Sequence, residues 1–366
     1  MRHPLLSFFF LAPVGFLVGC VLLTPAARQP DESAWEIRMR ASAAAYERGD
    51  YGEAERLVTQ GLREAEGWGA DDLRVAIALN NLAEIHRTRG RYDEAGPLYR
   101  RSLAIRQRKL GKDHPDVGIV INNLALLAKA RGDYGESEML QRRALAIFER
   151  SLGPDHPRVA LVLDNLAAVL RIQDRPAEAE PLYRRSLAIW EKTLGPEHPD
   201  FAISINNLAV VYQAQGRYAE AEPLFKRSLA ILEKSPGPSH PGVGRTLNNL
   251  GELYQAQGRF EEAEPCFKRS LGILETSLGP NHPEVALVLN NLASLRQAQG
   301  HSAEAESLFR RALAIREAVL PKDHPDIEVS RLNYAVLLES MGRTEEAARL
   351  RKGTRPTSGS RVPPGN

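Results

Sequence analysis

Apolar residues recur along this chain at three- and four-residue steps, in short stretches each closed by a glycine or a proline. Between Pro199 and Gln215, Phe201, Ile205, Leu208, Ala209 and Tyr212 keep this rhythm and line one side of an α-helix. Gly216-Arg217 breaks the pattern, glycine being suited to the left-handed position that ends a helix. Tyr218 to Lys234 resumes it, with Tyr218, Ala221, Phe225, Leu229 and Leu232 on one face. Pro223 is expected in the first turns of that second helix, where a missing N–H costs little. A Gly-Pro-x-His-Pro link follows, and its second proline suits the first position of another helix. The pattern predicts an antiparallel helical hairpin.

The hairpin repeats. His-Pro stands at His114, His156, His198, His240, His282 and His324, always 42 residues apart. Asn81, Asn123, Asn165, Asn207, Asn249, Asn291 and Asn333 keep the same step. So do Gly90, Gly132, Gly216, Gly258, Gly300 and Gly342, with Asp174 in the missing place. Small residues mark the close approach of paired helices: Ala83, Ala125, Ala167, Ala209, Ala293 and Ala335 share one column with Gly251. Ala95, Ala179, Ala221, Ala263, Ala305 and Ala347 share a second with Ser137, and Tyr99, Tyr183, Phe225, Phe267 and Phe309 fill a third.

This order of small residue, turn glycine, aromatic and small residue resembles the tetratricopeptide repeat. The 42-residue unit, with Asn-Asn-Leu-Ala and Glu-Ala-Glu-Pro-Leu-Tyr/Phe, looks like the kinesin light chain type. The resemblance implies an all-α, right-handed superhelical solenoid of about eight hairpins over residues 34–352. A degenerate first unit is expected at 34–66, regular units from 72, and an atypical last unit, because end repeats cap an open apolar face. The tail, 353–366, is rich in Pro, Gly, Ser and Arg and reads as disordered.

Composition agrees with a helical repeat and narrows the function. Lys plus Arg number 48 against 46 for Asp plus Glu, so nothing suggests the basic face that phosphate-backbone binding needs. Nucleic acid is not the expected partner. The two cysteines, Cys20 and Cys266, form no disulfide framework, and Cys266 reads as a small buried apolar residue.

Residues 1–30 hold an apolar run from Leu5 to Leu23 behind a weakly basic start, the shape of an export signal. Leu17-Val18-Gly19-Cys20 resembles the lipobox of bacterial lipoproteins, which implies lipid attachment at Cys20 and a membrane-tethered domain facing the periplasm or the cell exterior. The apolar run continues past Cys20 through Leu23, which leaves two alternatives. One is an uncleaved anchor, since about 20 residues span a bilayer. The other is plain secretion, or no export and a cytoplasmic chain.

The resemblance also implies a groove that takes a peptide from a partner protein. Opposite the core face of the Pro199 helix lie Ile203, Asn207, Val210 and Ala214. An asparagine amide both donates and accepts, so it can grip a peptide backbone without reading its side chains. The expected groove residues are Asn81, Asn123, Asn165, Asn207, Asn249 and Asn291, with Lys129, Arg171 and Arg245 adding a mild preference for acidic peptides. The alternative is that each asparagine bonds the adjacent repeat. Equivalent histidines in neighbouring units stand too far apart to share a zinc ion, whose ligands lie about 2 Å away, so they read as loop or capping residues and no metal is expected. No catalytic motif is present, and no cofactor is expected. The chain reads as a non-catalytic scaffold or adaptor; an accessory factor working through its ends or outer faces is the alternative.

Overall fold

The computed structural model describes residues 33–352, and these contain sixteen helices and no strand. Cys20, the apolar run around it and the tail from 353 lie outside the described residues. The chain divides into two compact units at Pro238–Ser239. The first holds five hairpins: α1 Ala34–Glu47 with α2 Tyr51–Gly67, α3 Leu73–Thr88 with α4 Tyr92–Leu110, α5 Pro115–Arg131 with α6 Tyr134–Leu152, α7 Pro157–Ile172 with α8 Pro176–Leu194, and α9 Pro199–Ala214 with α10 Tyr218–Lys234. The second holds three: α11 Pro241–Ala256 with α12 Phe260–Leu278, α13 Pro283–Ala298 with α14 Ser302–Val319, and α15 Pro325–Ser340 with α16 Thr344–Lys352. Below, the odd-numbered member of a pair is its A helix and the even-numbered member its B helix. Within each unit an A helix packs on its own B helix and on the B helix before it.

The histidines start the helices. In α5, α7, α9, α11, α13 and α15 the residue before the first-position proline is His, and its Nδ1 accepts the N–H two residues on, at 3.1–3.2 Å. This satisfies one of the N–H groups a helix start leaves open. Between A and B helices the turn residue takes a positive φ, and Asp174 does so at +59°, a conformation its short polar side chain tolerates better than most. Pro223 sits at the sixth position of α10 rather than in its free first turn. That helix therefore forgoes one internal bond, as do α4, α8 and α12 at Pro97, Pro181 and Pro265.

The core repeats with the period. Tyr99, Tyr183, Phe225, Phe267 and Phe309 are buried against the small column. B-helix serines fasten the pair: Ser102, Ser186 and Ser270 donate to the carbonyls of Ala76, Ala160 and Gly244 at 2.7–3.0 Å. Ser137, the exception in the alanine column, donates to Ala125 O at 2.8 Å. Between hairpins, arginine reaches back to glutamate on the preceding B helix, as in Arg175–Glu138 at 2.9 Å, Arg217–Glu180 at 3.1 Å and Arg343–Glu306 at 2.6 Å. Such partly exposed pairs contribute about 0–1 kcal/mol each.

Candidate functional site

The face of each A helix turned away from its own B helix carries the asparagine column. That column is double. Asn80, Asn122, Asn206, Asn248 and Asn290 precede the expected asparagines and are all buried, with Asp164 in their register. The second asparagine of one hairpin donates to the first asparagine of the hairpin before. Asn123 Nδ2 reaches Asn80 Oδ1 at 3.0 Å, Asn165 Nδ2 reaches Asn122 Oδ1 at 3.2 Å, and Asn291 Nδ2 reaches Asn248 Oδ1 at 3.0 Å. Asn291 also donates to Glu252 Oε1 at 2.5 Å. For Asn123, Asn165 and Asn291 these bonds match the alternative drawn from the sequence, that each asparagine bonds the adjacent repeat; only the acceptor, the first member of the Asn-Asn doublet, went unforeseen.

Burial then separates the expected residues. Asn81, Asn123 and Asn165 are buried, so solvent does not reach them, whereas Asn207, Asn249 and Asn291 are half-buried. Lys129 and Arg171 are also half-buried. Arg245 is held by both prongs of Glu284, at 2.7 and 3.0 Å, so its charge is compensated within the fold. Arg87 is buried in a pair with Glu84, which also accepts from Tyr99 at 2.5 Å. On this face α7 is covered on every side, from Arg158 to Leu170. In the second unit, by contrast, Leu287 is 40 % exposed and Val329 and Val336 are each 47 % exposed.

Two buried carboxyls stand out in the first unit. Asp164 accepts from Trp190 Nε1 at 3.1 Å and from Ser204 Oγ at 2.8 Å. Burial pushes it up to about 7 against the pull of those hydrogen bonds. Asp200 is pushed up to about 8, by burial first and the nearby Asp164 second. Both occupy helix-packing positions rather than a cleft. Among α6, α7 and α8, a cavity of about 350 Å³ opens between Arg142, Leu145, Leu166, Leu170, Glu178 and Leu182. Cys266 is half-buried, and burial raises its thiol above the usual range, which disfavours the reactive thiolate. No cluster of metal-ligating side chains occurs among the described residues, and none of their helices is long and apolar enough to cross a membrane.

Comparison with known proteins places this geometry. Two patterns described as tetratricopeptide repeat match the chain, one in six overlapping stretches from residue 74 to residue 350 and the other over 26–109. No curated protein matches the sequence. Among solved structures, a tetratricopeptide repeat protein from Parabacteroides merdae is 16 % identical, with a TM-score of 0.53, covering 83 % of this chain and 98 % of that one. The apo form of RapI is 18 % identical, with a TM-score of 0.53, covering 74 % of this chain and 92 % of its own. At these identities the two structures speak for the fold alone. A putative kinesin light chain from Podosopora anserina with nearly identical repeats is 30 % identical, with a TM-score of 0.43, covering 56 % and 96 % respectively. Six consecutive matches over most of the chain, on hairpins with this core and these turns, make it a member of the tetratricopeptide repeat family.

Proposed function

We propose that this protein is a non-catalytic scaffold that holds a partner protein by a peptide segment laid along the A-helix face. The observation that carries the reading is the pair of half-buried amides Asn249 and Asn291 on successive A helices of the second unit, with Asn207 half-buried on its own helix in the first, amides of the kind that grip a peptide backbone. The buried Asn123 and Asn165 serve the stack instead. Arg245 is neutralised within the fold, which weakens the expected preference for acidic peptides. The sequence around Cys20 supports a lipid-tethered, exported protein whose repeats, residues 34–352, work outside the cytoplasm.

A crosslinking pull-down tests the reading. Partners captured by the natural chain are compared with those captured by Asn207→Ala and Asn249→Ala, with helicity checked by circular dichroism. Loss of a partner at unchanged helicity is expected. A partner retained by both variants moves the contact to another surface, of which the cavity among α6, α7 and α8 is the first to test.

A further inference from the structure

The asparagine ladder breaks at its last step. Within the second unit, Asn291 closes the rung between α13 and α11 by donating to Asn248. The same register between α15 and α13 would have Asn333 donate to Asn290. That bond is not made: Asn290 is 5 % exposed and its Oδ1 has no partner, while Asn333 stays half-buried. A buried carbonyl oxygen left unsatisfied costs about 1–3 kcal/mol, so this end of the ladder is built short of its best state.

The unmade rung lies among exposed apolar side chains. Val329, Asn333 and Val336 are spaced i, i+4 and i+7 and share one face of α15. Leu287 on α13 occupies the column of Val329, one hairpin earlier. In the same column of the first unit Leu161 is 7 % and Ile203 6 % exposed, while Ile77 and Ile119 are half-buried. The cations bordering the patch are already spent, and Glu328 beside Val329 adds a negative charge. Arg245 is paired with Glu284 and Arg331 with Glu317 at 2.6 Å, Glu252 is taken by Asn291, and Glu339 meets Arg351 at 2.9 Å. An acidic segment would find no free cation there, whereas an apolar one would cover three exposed side chains.

We propose that α13 and α15 form the specificity subsite, taking an extended, uncharged peptide segment with apolar side chains. The peptide backbone meets the Asn333 amide as its side chains cover Leu287, Val329 and Val336. Docking turns the Asn333 amide so that Nδ2 closes the rung to Asn290 and Oδ1 accepts a peptide N–H. This rests on the reading that the A-helix face binds peptide, and it adds the place and the chemistry.

The test pans a random dodecapeptide phage library on the immobilised full chain, then measures the winning peptides by fluorescence anisotropy. Enrichment of uncharged peptides with recurring apolar residues is expected. Val329→Asp or Val336→Asp should weaken them at least ten-fold and Asn333→Ala several-fold. Val336→Thr, which adds no charge, guards against misfolding, and its loss should be smaller. Acidic winners, indifferent to Val329→Asp but weakened by Asn207→Ala or Asn249→Ala, would overturn this subsite and leave groove binding standing. Winners indifferent to every one of these replacements, or no winners at all, would overturn both.

Discussion

An amide buried without a partner is the simplest local departure from the repeat. Gln141 stands in the column of Tyr99, Tyr183 and Phe225, is fully buried, and has neither its oxygen nor its nitrogen bonded. Replacing it by methionine, similar in length and without those polar atoms, should raise stability by about 1–2 kcal/mol in urea unfolding; a lower midpoint would show that the amide is bonded in solution. Asp164 departs in the other direction, as a carboxyl in an asparagine column. Asp164 and Asp200 titrate near 7 and 8 in the fold, against about 4 in the unfolded chain. The unfolded chain has therefore lost both protons by pH 6.5 while the fold still holds them. Raising the pH from 6.5 to 8.5 should cost about 2–3 kcal/mol of stability. The capping histidines do not oppose this window. Burial lowers His156, His198 and His282, and takes His240 to about 4, so their contribution is lost only as pH falls below about 6.5. Asp164→Asn should flatten the slope, with Trp190 fluorescence as the reporter; an unchanged slope would assign it elsewhere.

At the scale of the helix and its hairpin, most of what is seen could be read beforehand. The 42-residue step, the proline at the first helical position, the turn glycines and the aromatic column each have a local physical cause and appear as expected. The inter-hairpin bonds were harder to see, because they join residues 43 apart and depend on which side of the helix the first asparagine faces. Compensation was hidden for the same reason: Arg245 is neutralised by Glu284, one hairpin further on. Gly251 shows how far local packing can depart from the column average. A Cβ there would lie 2.7 Å from Phe267 Cε1, although six sister positions carry alanine. Gly251→Ala should thus destabilise by about 1–3 kcal/mol despite restoring the majority residue and favouring helix. A gain in thermal midpoint would mean that Phe267 yields easily.

Across the whole chain, the fold was legible and the partner was not. Repetition writes the architecture many times over, so one degenerate unit does not obscure it, whereas a binding face is written once, in the residues that vary between repeats. Leu161 is buried and Leu287 exposed, although the sequence treats the two positions alike. The most direct test of the account is hydrogen exchange by mass spectrometry on the full chain, with and without the partner captured by the pull-down. The account predicts slowed exchange in α13 and α15, extending to α11 for longer segments, with B helices unchanged. Protection confined to α6, α7 and α8, around the cavity there, would contradict it and move recognition to another surface.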